Sequence, residues 1–278
     1  MKKRRKRTRL FVIIALLIFA WYFNNYSLKP TTETVYSDKI AEDIKIAVIS
    51  DLHGDKFGKD NRKIINMVDR QNPDLIFVLG DMYTQNHSEQ IETAVNVVVK
   101  LAAIAKTYVI TGDHDTDREY AEEISSLENV SLMNYKEESV TVKGSTINIY
   151  GIDNVYFSPT FDLHNEFNEP DGTQFSILMA HIPQTEDLDN FGVDLILSGD
   201  THGGMFRLPL LGPIYYNGYI LPKLTYPGRM TDKGLYDLGD KKIFVTSGLG
   251  DYPAPVRLFN RPEIGIITIK SKAKETAK

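Results

Sequence analysis

The stretch Ile44–Asp55, IKIAVISDLHGD, decides the fold. Its apolar run, Ile46–Ile49, passes directly into a polar cluster, Ser50-Asp51-Leu52-His53-Gly54-Asp55. A short, wholly apolar run bounded by turn residues reads as a buried strand. In an open α/β sheet, ligands gather just beyond the carboxyl ends of such strands. Asp51 and His53 are two residues apart, so an extended segment turns both side chains to one face. A carboxylate and an imidazole there make two ligands for a divalent metal. Alone the pair is a weak signal, because an Asp-x-His after a strand is commonly ordinary loop polarity.

The arrangement returns four more times. The run DLIFVL, Asp74–Leu79, ends in Gly80-Asp81, and YVIT, Tyr108–Thr111, ends in Gly112-Asp113-His114-Asp115. FSILMA, Phe175–Ala180, ends in His181, and DLILS, Asp194–Ser198, ends in Gly199-Asp200-Thr201-His202-Gly203-Gly204. Four of the six histidines thus fall at strand ends, while His87 and His164 read as solvated surface residues. Between the strands, Asn61–Arg70, Ser88–Ala105 and Arg118–Leu127 show helical character. Strands alternating with helices argue for a parallel sheet with crossover connections. After Asn129, three segments read as antiparallel strands: Ser131–Tyr135, Ser139–Val142 and Thr146–Tyr150, with Lys143-Gly144-Ser145 as a tight turn. A loop or helical excursion covers Ser158–Thr173. Strands resume at Lys242–Thr246 and Ile264–Ile269, and residues 271–278 read as a polar tail.

Outside this core lies a different kind of sequence. Residues 1–9 hold seven of the 32 basic residues, which leaves 25 against 37 acidic ones and a balance of −12. So acidic a body lacks the basic face that duplex nucleic acid requires. Leu10–Phe23 is an unbroken apolar run, and Trp21, Tyr22 and Tyr26 extend it with an interfacial aromatic belt, so residues 10–26 read as an uncleaved signal anchor. The basic cluster then stays cytoplasmic and the rest of the chain lies outside the cell membrane. Residues 27–43 read as a linker, with a short edge strand around Thr34–Tyr36, and the globular domain as residues 44–270. With no cysteine, disulfides, thiolate ligands and cysteine nucleophiles are excluded.

The blocks D-x-H, G-D, G-D-H-D, H and G-D-x-H, in that order from Asp51 to His202, resemble the calcineurin-like metallophosphoesterase superfamily. Later residues, among them Gly203-Gly204, Arg207-Leu208-Pro209, Gly234-Leu235-Tyr236, Ser247-Gly248-Leu249-Gly250 and Pro262-Glu263-Ile264, look like its bacterial membrane-associated branch. That branch includes phosphodiesterases and enzymes that cleave the pyrophosphate of sugar-nucleotide lipids. The resemblance covers about Ile44 to Ile269. It implies an α/β fold, a two-sheet β-sandwich flanked by helices, and two divalent metal ions bridged by Asp81. Asp51, His53 and His202 would complete the first site; Asp113, His181 and Asp200 would complete the second. His114 matches the histidine that the family uses near the leaving group. The implied reaction is hydrolysis of a phosphodiester or pyrophosphate by metal-activated hydroxide.

Two departures fall on the second site, where the family has Asn at the position of Asp113 and His at that of Asp200. The resulting carboxylate-rich shell favours manganese or magnesium over zinc or iron. Thr84 stands where many relatives carry a carboxylate, which leaves the group orienting His114 unassigned. Met205 likewise replaces a common glutamine. The apolar stretch Leu208–Leu221 reads either as core packing plus a loop or as a wall for a lipid-linked phosphate ester. A catalytically degenerate single-metal ligand-binding module and a phosphomonoesterase are the alternative functions.

Overall fold

The computed structural model describes residues 2–153, 162–184, 188, 190–216, 218–228 and 230–272. Part of the expected excursion, residues 158–161, and residues 273–278 of the tail lie outside them. Two six-stranded sheets form the body. The first contains β1 (Lys29–Ser37), β2 (Ile44–Ile49), β3 (Leu75–Val78), β4 (Lys106–Val109) and β5 (Val130–Leu132), joined by the final strand of the chain. The second contains β6 (Lys136–Val142), β7 (Ser145–Ile152), β8 (Phe175–Ala180) and β9 (Leu195–Ser198). Two small ribbons follow, β10 (Arg207–Leu208) with β11 (Gly212–Pro213) and β12 (Tyr215–Tyr216) with β13 (Tyr219–Ile220). Then β14 (Gly234–Asp237) and β15 (Lys242–Val245) complete the second sheet, and β16 (Glu263–Ser271) crosses back to the first. The orders are β1-β16-β2-β3-β4-β5 and β14-β15-β9-β8-β7-β6.

Side-chain alternation explains the layering. Ile46, Val48 and Phe77 meet Ile147, Ile177, Leu195 and Phe244 between the sheets. Ala47, Ile49, Ile76 and Val78 turn the other way, onto Ile64, Val68, Val98 and Tyr120. Those partners belong to α2 (Arg62–Gln71), α3 (Ile91–Ala102) and α4 (Arg118–Ser126), which flank the first sheet. Ahead of all these lies α1 (Lys2–Tyr26), and a single turn, α5 (Pro222–Thr225), follows β13.

Two expectations need correction. The span 27–43 is not a linker: β1 pairs with β16 in parallel over nine residues, so the sheet begins at Lys29. Its Thr- and Val-containing sequence suits a half-buried edge strand, but its partner lies more than 230 residues away. Ser131–Tyr135 is likewise not part of an antiparallel set. Val130–Leu132 runs parallel to β4 at the far edge of the first sheet, and only β6 and β7 form the hairpin.

Candidate metal centre

Strands β2, β3 and β4 of one sheet and β8 and β9 of the other deliver their carboxyl ends to one edge of the sandwich. Cross-links hold the two edges together. The backbone N–H of Asp200 donates to Asp51 Oδ1 at 3.0 Å, and the His181 ring bonds the carbonyl of Leu79 through Nδ1 at 2.6 Å. The N–H groups of Asp51 and His53 donate to the carbonyls of Gly80 and Asp81 at 2.9 and 3.0 Å. At Gly112 a Cβ would stand 2.1 Å from Asp81 Oδ1, so only glycine lets this backbone approach the carboxylate.

All seven anticipated ligand residues converge here. Ligand atoms of Asp51, His53 and His202 lie within 4.8 Å of one another, and so do those of Asp113, His181 and Asp200. Asp81 stands between the groups: its Oδ2 is 3.5 Å from His53 Nε2 and 3.4 Å from His181 Nε2. Asp51, His53, Asp81, Asp200 and His202 all have left-handed backbones, with φ between 47° and 65°. Strain of this kind is found where function dictates side-chain direction.

The polar atoms in this centre fit a cation. Asp51 Oδ2, His53 Nε2, His181 Nε2 and His202 Nδ1 are buried without a hydrogen-bond partner. Leaving such atoms unpaired is costly, and four orphans in one place mark a ligand shell. The Leu79 carbonyl takes the Nδ1 proton of His181 and so turns Nε2 into the centre, the orientation of a ligating histidine.

Electrostatics point the same way. Burial, aided by the Asp81 charge, pushes Asp51 up to about 7, while burial brings His53 down to about 4. Burial also raises Asp200, with Asp113 and Asp81 adding to it. His181 behaves differently. Burial opposes its charge, but Asp81 and Asp113 outweigh burial and hold its proton well above the usual range. The His181 ring, with Nε2 3.3 Å from its carboxylate, in turn holds Asp113 at about 2. Asp51 and Asp200 are short of positive charge.

Four further residues shape the centre. Asp115 is buried, accepting from the N–H groups of Met82 at 3.0 Å and Gly112 at 3.1 Å, so it staples the β3 and β4 loops together. Gln85 answers the question left by Thr84: its N–H donates to His114 Nδ1 at 3.1 Å, which places the proton of the neutral ring on Nε2. The Tyr252 ring stacks on His53 at 4.8 Å and meets His114 edge-on at 4.5 Å. Asn260 donates to the His202 carbonyl at 2.7 Å. Asp115 was visible in the G-D-H-D block; Tyr252 and Asn260 carried no local signal. His87 and His164 lie on the surface, in ion pairs with Glu89 and with Asp162 and Glu169.

The chain belongs to the calcineurin-like phosphoesterase family, which residues 44–204 match. It is therefore a metal-dependent phosphoesterase, of a family that works with two metal ions. The uncharacterized metallophosphoesterase YkuE of Bacillus subtilis is 30% identical over 264 residues, covering 91% of this chain and 89% of that one. A Danio rerio protein named as a transmembrane protein with metallophosphoesterase domain is 25% identical over 292 residues, covering 95% of this chain and 63% of its own. The crystal structure of TT1561 of Thermus thermophilus has the same fold, with a TM-score of 0.50 at 11% identity over 74% of this chain and 90% of that one.

Proposed function

We propose a membrane-anchored hydrolase of phosphodiester or pyrophosphate bonds, working on a lipid-linked substrate outside the cytoplasmic membrane. Asp51, His53, Asp81 and His202 would hold one dication and Asp81, Asp113, His181 and Asp200 the other, with manganese or magnesium preferred at the oxygen-rich second site. The observation that carries this reading is the position of Asp81 Oδ2, within 3.5 Å of an imidazole nitrogen from each group. Bound dications clamp a phosphate, lower the pKa of a water and offset charge on the attacking and leaving oxygens. The residues of the chain supply the rest. His114, with its proton on Nε2 and its backbone N–H bonded to Asp81 Oδ1 at 2.9 Å, donates a hydrogen bond that steadies the charge on the departing oxygen. Tyr252 packs against the His114 and His53 rings and limits their movement.

The anchor is α1, whose segment Lys6–Tyr26 is long and apolar enough to cross a membrane. The zebrafish relative's name supports the same reading. Its basic amino end favours a cytoplasmic start and an external catalytic domain. The test is hydrolysis by the full-length protein, with manganese or magnesium, of a panel containing a lipid pyrophosphate, a diester and a monoester. Preference for the monoester, or no turnover of any ester, would refute the proposal.

A further inference from the structure

Helix α1 does not leave the domain as a free tether. Asn24 and Asn25 are buried, and their side-chain oxygens accept the N–H groups of Phe259 and Arg257, each at 2.8 Å. Arg261 lies over the Phe23 ring at 4.6 Å and donates to the Ser27 carbonyl at 2.8 Å. Deeper along the helix, the Trp21 indole donates to the Pro255 carbonyl at 2.7 Å. Trp21 lies five residues before the helix end, about 7 Å along the axis, and helical side chains lean toward the amino end. The loop 252–261 therefore reaches back alongside the apolar span. Whatever solvent surrounds Trp21 also meets this loop.

With α1 spanning the membrane, that solvent is apolar. The helix side chains Leu10 to Phe19 stand exposed, Phe11 at 72%. Large apolar side chains also project from the loop and its neighbours: Phe259 is 62% exposed, Leu210 90% and Leu224 69%. Phe259 and Leu210 border one open cleft of about 600 Å³. The cleft joins the centre through backbone bonds: Leu258 N–H donates to the Met205 carbonyl at 3.1 Å and Arg207 N–H to the Leu258 carbonyl at 3.0 Å, just beyond His202. The opposite end of the loop carries Tyr252, stacked on His53.

We propose that the loop 252–261 and the segment around Leu210–Leu224 form a second, interfacial membrane contact, so that the metal centre is held against the lipid headgroup layer. The occupant of this apolar surface is the bilayer, because the loop is fastened to the span at the level of its last turns. Long apolar side chains at that depth enter the headgroup–acyl boundary. The centre is thereby presented to phosphates that lie at headgroup level, those of phospholipids and lipid-linked carriers. This inference rests on reading α1 as a membrane span.

The chain has no cysteine, which makes a direct test clean. Single variants Leu210→Cys, Phe259→Cys and, on α3, Val99→Cys are labelled with a nitroxide in the full-length protein in phosphatidylglycerol–phosphatidylcholine vesicles. Collision with oxygen, which concentrates in lipid, is compared with collision with an aqueous nickel chelate. The ratio should be severalfold higher at positions 210 and 259 than at 99. Equal ratios at all three positions would overturn the proposal, and so would protection of 210 and 259 from both reagents, the mark of a protein partner. All three positions are exposed, so the substitutions leave the core intact. Hydrolysis of a water-soluble diester by the same vesicles reports on the metal centre separately, so the two readings can fail independently.

Discussion

The two halves of the centre are built differently. The Asp51 half is enclosed: Asp51 is fully buried, and Gly248 packs so closely behind it that a Cβ would stand 2.6 Å from the aspartate side chain. The chain behind it is fixed in depth. Leu249 and Gly250 donate to the carbonyls of Ser50 and Asp51. Buried Glu263 accepts from Ser247 N–H at 2.9 Å and pairs with Lys233 at 2.8 Å. The other half opens to solvent, with the Asp113 side chain 45% exposed, and it gathers two carboxylates, Asp113 and Asp200, around His181. The difference separates an enclosed pocket from one whose ligands meet solvent. On the proposed assignment the enclosed, imidazole-rich half would keep one ion in place, while the open, carboxylate-rich half would set the choice of the other.

Replacing the residue shared by both halves should have the largest effect. Asp81→Ala is expected to lower kcat/KM by about a thousandfold or more, a loss of several kcal/mol of charge stabilisation, measured on a diester with saturating manganese. Equal activity in that variant would erase the distinction between two sites and a bridge. Next comes the support of the enclosed half. Lys233 holds Glu263 at about 2 against the upward push of burial, below its ordinary 4.5. As pH falls, the unfolded chain takes up this proton first, so stability present above pH 4.5 drains away toward pH 2. Lys233, at about 8, stays protonated throughout that window. The loss amounts to about 3 kcal/mol, and urea titrations at successive pH values should show a shallower acid limb in Glu263→Gln. An unchanged limb would place the support elsewhere.

His114→Gln should cost about a hundredfold in kcat for esters with poor leaving groups and much less for good ones. A uniform loss across leaving groups would assign His114 a role other than support of the leaving oxygen. The smallest effect is a change of selectivity. Asp113→Asn combined with Asp200→His should move the open half toward zinc or iron by about an order of magnitude in relative affinity, read by metal competition. No shift would show that these carboxylates do not set the preference.

The primary structure revealed the centre more fully than its surroundings. Asp51, His53, Asp81, Asp113, His114, His181, Asp200 and His202 were legible because each follows an apolar strand run that fixes its place on one edge. The pairing of β1 with β16 was not legible, since an edge strand of nine residues with several threonines resembles a linker until its partner is known. Ser131–Tyr135 reads as an antiparallel strand for the same reason: the three residues that pair, Val130–Leu132, do not reveal whether a neighbour runs parallel. The lock between Asn24, Asn25 and the loop 252–261 lay hidden in ordinary polar residues some 230 positions apart. Tyr252 reaches the centre only through that loop.

The central claim, two ions bridged by Asp81, is tested most directly by elemental analysis of the full-length protein beside Asp81→Ala. The account predicts two divalent ions per chain in the native protein and loss of the bridged pair in the variant. One ion per chain in the native protein, or two retained without Asp81, would contradict it.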